Sequence, residues 1–328
     1  MIERVRRGVV LSATTVSLLL GATGCGEEKK KADPLPPWTE VATKFEKPLH
    51  AAWVVSPTDA IAVGAGGLIV QFDGTAWKPV ESGTTEDLIA LWGSGVQRVW
   101  AVGANGTIVT RADGAWTVAT DRRGLTLRAV CGRSADDVWI FGDEGLALRN
   151  TGSGFEEVSV PLPESVEGAF MDATGTGLFV GAESGMGTVT GTFDGEDTWA
   201  RVVRSDTGIG AITDVWGRLE PMERAPFIWA AGTNTAGNGV LARWMDDRWN
   251  IVVSGLGEKP AAVFPTAEGM WLGATSALKR VDADDPDAEP ETQVVAGPVR
   301  DIQGAGTLLI AVGGQSDGRI WTRVIDAE

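Results

Sequence analysis

The sequence has no tyrosine, a single histidine and two cysteines in 328 residues. One histidine cannot build a multi-histidine metal centre, because zinc takes about four nitrogen, sulfur or oxygen ligands. A glycosidase that relies on a tyrosine nucleophile is likewise excluded. Basic residues are scarce: 28 Lys and Arg stand against 44 Asp and Glu, a net charge of -16. That balance argues against nucleic-acid binding, which needs a basic face. Bilayer-spanning helices need ~20 apolar residues, and the uncharged run VVLSATTVSLLLGA near the start falls short of that. What the chain does have is 44 Gly and 14 Trp, with 43% hydrophobic residues, enough to bury a core. Regular glycine and aromatic punctuation is the mark of repeated β units.

Residues 1–24 read as a secretory signal: Arg4, Arg6 and Arg7 precede the apolar run, and small residues follow it. Ala22-Thr23-Gly24-Cys25 resembles the lipobox of bacterial lipoproteins, although Ala22 stands where that family prefers Leu. The resemblance implies lipidation of Cys25 and a place in the cell envelope. Gly26, where Asp would resemble an inner-membrane retention signal, favours the outer membrane. With Cys25 lipidated, Cys131 is the one remaining thiol, so no intramolecular disulfide is expected. Residues 25–37, charged and Pro-rich, read as a flexible tether.

From residue 38 a repeat governs the chain. Trp38, Trp77, Trp116 and Phe155 are spaced 39 residues apart, and so are Gly64, Gly103, Gly142 and Gly181. Trp53, Trp92, Cys131 and Phe170 form a third column with the same step. One unit, LIALWGSGVQRVWAVGANGTIVTRADGAWTV, holds four short β-like runs divided by turn residues. The runs alternate branched or aromatic residues with small or polar ones, as half-buried strands do. Gly after the second run, as in VWAVG, is expected to supply a positive φ. Asp73-Gly74, Asp113-Gly114 and Asp194-Gly195 read as hairpin turns.

Inner strands starting near Leu49, Leu88, Leu127, Val166, Ile212, Pro260 and Val299 predict an all-β, seven-bladed β-propeller of four-stranded antiparallel blades over 38–328. The last unit, ending GRIWTRVIDAE, lacks a fourth strand, and the N-terminal WTEVATK has the sequence to supply it and close the ring. This pattern resembles the Asp-box-like and Ycf48-like (photosystem II assembly factor-like) propellers, above all in the recurring VWAVG, DG and W. The Gly-His and Trp-Asp pairs of WD40 repeats and the full Ser-x-Asp-x-Gly-x-Thr-Trp of an Asp box are absent, so their chemistry is not carried over. The resemblance implies the fold and leaves activity open, since propellers host many functions.

Candidate chemistry is sparse. His50 begins an inner strand, and no Gly-x-Ser-x-Gly elbow sets a serine on a strand-to-helix turn to serve it. The run Asp282, Asp284, Asp285, Asp287, Glu289 and Glu291 starts like a calcium loop, but Pro286 breaks the ligand spacing. Asp136-Asp137 and Asp246-Asp247 fall where turns are expected. Cys131 takes an aromatic's place in its column and reads as a core thiol of raised pKa. The inner-strand positions His50, Ile89, Arg128, Glu167, Thr213, Ala261 and Arg300 should ring one channel mouth, and His50, Arg128, Glu167, Thr213 and Arg300 are its candidate ligand contacts. No metal, cofactor or catalytic residue is expected.

The expectation is therefore a monomeric, lipid-anchored, non-enzymatic binding or scaffold module for a protein or polysaccharide of the envelope. Its alternative is an envelope glycan hydrolase or lyase using Glu167 with Asp214 or Asp301. A quinoprotein dehydrogenase is a distant third.

Overall fold

The computed structural model describes residues 36–325, apart from 96–97, 121–122, 161–164, 172–177, 185–186, 194–198, 205–207, 219–226, 246–247 and 286. The secretory signal, Cys25 and most of the tether lie outside these residues, as do Asp194-Gly195 and Asp246-Asp247. Among the described residues the strands form seven four-stranded antiparallel sheets, numbered here in chain order. Sheet 1 runs Leu49–Ser56, Asp59–Gly64, Ile69–Phe72 and Trp77–Val80 from its inner to its outer strand. The inner strands of sheets 2 to 7 are Leu88–Gly93, Leu127–Ser134, Val166–Met171, Ile209–Arg218, Ala262–Thr266 and Val299–Ala305. Each inner strand touches the next, and the seventh touches the first, so they surround a common axis. The fold is a β-propeller. The fifth inner strand begins earlier than expected, at Ile209, and the sixth later, at Ala262.

The N-terminal segment closes sheet 7. Thr39 pairs with Thr322 and Glu40 with Trp321, so the sheet reads from the N-terminal strand through Arg319–Val324 and Leu308–Gly313 to the inner strand. The strand proper is two residues long, Thr39–Glu40, shorter than WTEVATK suggested. Side chains make up the difference. Gln293 of sheet 6 both accepts from Trp38 N (2.8 Å) and donates to Trp38 O (2.7 Å). The Trp38 ring meets Trp271 edge-on at 5.4 Å, and Phe45 bridges to Gly318. Trp38 is thus buried in the wedge between sheets 6 and 7.

Hydrophobic cores lie between neighbouring sheets rather than in one central mass. Ile61, Val63 and Ile69 of sheet 1 pack on Leu88, Val99 and Val109 of sheet 2, and Trp100 and Val102 continue onto Leu127 and Ile140. Sheets 2 and 3 are consequently buried on both faces. The second strand of sheet 3, Asp137–Gly142, has every residue buried. This corrects the half-buried reading: strands covered on both sides carry near-continuous apolar runs, as VWIFG and VWAVG do.

The glycine after the second strand is also explained differently. Gly103 has φ -173° and Gly64 φ -167°, ordinary extended backbone. What they allow is close approach: a β-carbon on Gly103 would overlap the Asp87 carbonyl oxygen, and one on Gly64 that of Pro48. Those same carbonyls accept hydrogen bonds from Ala104 N (2.9 Å) and Ala65 N (3.0 Å). The positive φ falls two residues later, at Gly66 (59°), Asn105 (52°) and Glu144 (57°), inside single 3₁₀ turns.

Candidate ligand site on the propeller axis

The site begins with an irregularity of register. In sheets 1, 2, 3, 4 and 7 the ladder slips between the first and third residues of the inner strand, and in sheet 5 between Ile212 and Asp214. The residue left unpaired by each slip is His50, Ile89, Arg128, Glu167, Arg300 and Thr213 respectively. A bulge places two residues of one strand opposite one of its partner, which re-aims the extra side chain. Both members of each bulge therefore line the axial cavity, where strict alternation would send one of them away.

That cavity has a volume of about 640 Å³. It brings together all five predicted contacts, His50, Arg128, Glu167, Thr213 and Arg300, with Ile89 and Ala261 completing the ring. Next along the strands come the small residues Ala51, Ala90, Ala129 and Gly168, with Asp214 and Asp301 in the same column. Farther on, the lining turns aromatic at Trp53, Trp92, Phe170 and Trp216. From ring to aromatics is three residues, about 10 Å of extended chain.

The ring side chains also join neighbouring sheets. His50 Nδ1 lies 2.9 Å from Leu88 O; a carbonyl only accepts, so Nδ1 carries the proton. Burial lowers the His50 pKa, opposed by that bond and assisted by Arg300. Thr213 Oγ1 donates to Pro260 O at 2.6 Å. Arg128 Nε donates to Asp143 Oδ1 at 2.5 Å and Nη1 to Glu167 Oε2 at 3.4 Å, and Ser165 Oγ holds the same Asp143 oxygen at 3.0 Å. Burial works against the charges of this cluster. The Asp143 hydrogen bonds outweigh it and hold that pKa below the ordinary carboxylate value. Arg300 differs: it is exposed and has no hydrogen-bond or ion-pair partner among the described residues.

Two carboxylates behave unlike the rest. Asp214 accepts from Val215 N and, across the sheet junction, from Val263 N, both at 2.8 Å. Asp301 accepts from Ala52 N of sheet 1 at 2.7 Å and from Gln303 Nε2 at 3.2 Å. Burial pushes the pKa of Asp214 up to about 7, with the charge of Asp301 adding to it. Asp301 rises to about 6 for the same first reason, against its hydrogen bonds. Neither has a cation paired with it among the described residues. Each nevertheless staples one sheet's inner strand to the next.

The other sequence candidates belong to the scaffold. Cys131 is buried and its thiol pKa strongly raised by burial. Asp137 sits between Arg133 and Arg149, the latter 2.9 Å away through Nε and stacked on Trp139 at 4.8 Å. The run from Asp282 to Glu291 links the third and outer strands of sheet 6, and among the described residues no three acidic, His or Cys side chains form a metal cluster. The aromatic lining was legible as a repeat column. Trp53 does lie on Gly93, Trp92 on Gly132 and Phe170 on Gly217, while each also reaches the cavity.

No protein-family model matches the chain, and no curated protein matches it either. Solved structures do. Ycf48 bound to D1 peptide aligns with a TM-score of 0.68 at 13% identity, covering 89% of this chain and 98% of that one. Ycf48 from Cyanidioschyzon merolae gives 0.66 at 15% identity, covering 87% and 98%. A catalytically inactive virginiamycin B lyase from Staphylococcus aureus with quinupristin gives 0.71 at 13% identity, covering 88% and 99%. At such identities the likeness is one of fold.

Proposed function

We propose that the chain is a seven-bladed binding module of the bacterial cell envelope, held by lipid on Cys25 at the outer membrane, that recognises a protein or polysaccharide partner through the polar mouth of its axial cavity. The observation that carries the reading is the ring of bulge residues. Five polar side chains converge on one end of a concave site, and Arg300 has no partner among the described residues. Concavities with a few convergent polar groups are the default place for recognition. Seven sheets in cyclic contact support the blade count. The name of one structural neighbour, Ycf48 bound to D1 peptide, gives a precedent for protein binding on this fold. The anchor reading rests on Ala22-Thr23-Gly24-Cys25: two or more acyl chains hold a protein stably to a membrane.

The test is affinity capture from detergent-solubilised membranes with the wild-type chain and with Arg128→Ala and Arg300→Ala. A partner retained by the wild type and lost from the Arg300 variant supports the reading. Equal capture by all three refutes it.

A second reading, a glycan hydrolase or lyase, draws on the raised pKa of Asp214, since a carboxylic acid neutral near pH 7 can serve as a general acid. Against it, both oxygens of Asp214 are taken by main-chain N–H groups, and Glu167 is paired with Arg128. Turnover of a glycan library that disappears in Glu167→Gln would establish the enzyme.

A further inference from the structure

The cavity is graded along its length, and the grading describes a ligand. At the mouth, Arg300 is a guanidinium with no ion-pair partner among the described residues, in a chain of net charge -16. Beside it, His50 has Nδ1 committed to Leu88 O. Arg128, across the ring, is already compensated by Asp143 and Glu167. One residue deeper the wall splits. Sheets 1 to 4 present Ala51, Ala90, Ala129 and Gly168, whereas sheets 5 and 7 present Asp214 and Asp301. Beyond lie Trp53 and Trp92, with ring centroids 6.1 Å apart.

An anion drawn to Arg300 therefore meets negative charge as soon as it goes deeper. A dianion such as phosphate gains at the mouth and loses below it. An apolar body, in contrast, has small side chains and then aromatic rings to lie against over about 10 Å. We propose that the cavity binds an organic monocarboxylate with an apolar body, the carboxylate beside Arg300 and the body along the alanine wall toward Trp53 and Trp92. This inference rests on the mouth being the recognition site and names the chemistry that it selects.

The site also has a built-in dependence on acidity. The charged groups facing Arg300 and its ligand from the mouth are His50, with Asp87 behind it, and the Arg128–Glu167 pair with Asp143. Below them are Asp214 and Asp301. Between pH 8 and pH 6 the two deep carboxylates take up protons, so repulsion of a bound carboxylate weakens. Binding tightens on acidification over that range.

The experiment is calorimetric titration of the intact propeller, at pH 8 and pH 6, with octanoate and with N-acetyl-L-phenylalanine, each compared with its carboxamide and with inorganic phosphate. The expected result is binding of at least one carboxylate, tenfold or more weaker for its amide, undetectable for phosphate, and several-fold tighter at pH 6. Arg300→Gln should weaken it tenfold or more without changing the melting temperature, since Arg300 is exposed and its side chain holds no partner among the described residues. Preference for octanoate identifies a lipid-derived ligand, and preference for acetylphenylalanine a peptide-derived one; either supports the inference. No binding of either acid, equal binding of the amides, or full affinity in Arg300→Gln overturns it. If neither acid binds while Arg300→Ala still abolishes partner capture, only this inference falls. If wild type, Arg128→Ala and Arg300→Ala capture equally, the proposed function falls, and the titration still decides the inference.

Discussion

Replacing Asp301 by Asn isolates the cost of one carboxylate charge from the bonds that it makes. Asp301 Oδ2 accepts from Ala52 N, and Oδ1 accepts from the Gln303 side-chain amide. Asn can keep both contacts: its oxygen faces Ala52 N, and its NH₂ meets Gln303 after that amide turns over. Only the charge is lost. The folded pKa of Asp301, about 6, lies above its ordinary value of 3.8. The folded state therefore favours the proton, and this contribution to stability is complete below pH 3.8 and is lost as the pH rises through 6. Linkage over pH 5 to 8 turns those two values into about 1.4 kcal/mol. Screening by cavity water reduces that to about 1 kcal/mol. Asp301→Asn should thus gain about 1 kcal/mol on the wild type in going from pH 5 to pH 8. In a chain of this size that is roughly 2–4 °C of melting temperature. Thermal unfolding of both proteins at the two pH values reads it; groups not coupled to Asp301 cancel in the comparison, and Asp214, whose pKa the Asp301 charge helps to raise, shifts the difference in the same direction. An unchanged difference between variant and wild type at pH 5 and pH 8 would refute the claim that Asp301 carries an uncompensated charge.

Three other changes probe the frame. Gly103→Ala should destabilise by about 1–3 kcal/mol through overlap with the Asp87 carbonyl, and chemical denaturation will show whether the midpoint falls. Glu144→Gly should stabilise by about 1 kcal/mol, because Glu144 holds φ 57° without a glycine's freedom; a lower midpoint would contradict that. Glu268→Ala removes the 2.7 Å partner of Arg323, whose side chain is 1% exposed, and leaves a buried cation over Trp271, a loss of about 3–5 kcal/mol measurable by the same denaturation.

The repeat made the fold legible because its columns serve the same contact in every sheet. Trp53 and Trp92 recur at one step since each must cover a glycine, Gly93 or Gly132, of the following sheet. The closing strand could be read from Trp38 for a similar reason: its column position is an outer-strand wedge, and the wedge between sheets 6 and 7 is where it sits. The role of Gly103 was misread because sequence shows that a side chain is absent without showing whether torsion or a neighbouring carbonyl forbids it. The ring of His50, Arg128, Glu167, Thr213 and Arg300 could be placed from spacing alone. Its bulges could not, because a register slip leaves no residue type behind it. Nor could the pairing of Arg128 with Asp143, which depends on a turn from the second strand folding back over the first.

The break in the 39-residue step also divides the cavity. Sheets 1 to 4 keep the period, and at the stapling column they carry Ala51, Ala90, Ala129 and Gly168. Sheets 5 and 7 lie beyond the break, and there the same column holds Asp214 and Asp301. In those two sheets the link to the next inner strand is a side-chain carboxylate accepting a main-chain N–H. The scaffold does not need this, since the other junctions close without it. A buried charge with no paired cation is costly compared with alanine, so the two aspartates lower stability at neutral pH while leaving the geometry intact. What they do change is the cavity that they face: they make one side of an otherwise apolar wall sensitive to charge and to acidity, beneath Arg300, which has no ion-pair partner among the described residues.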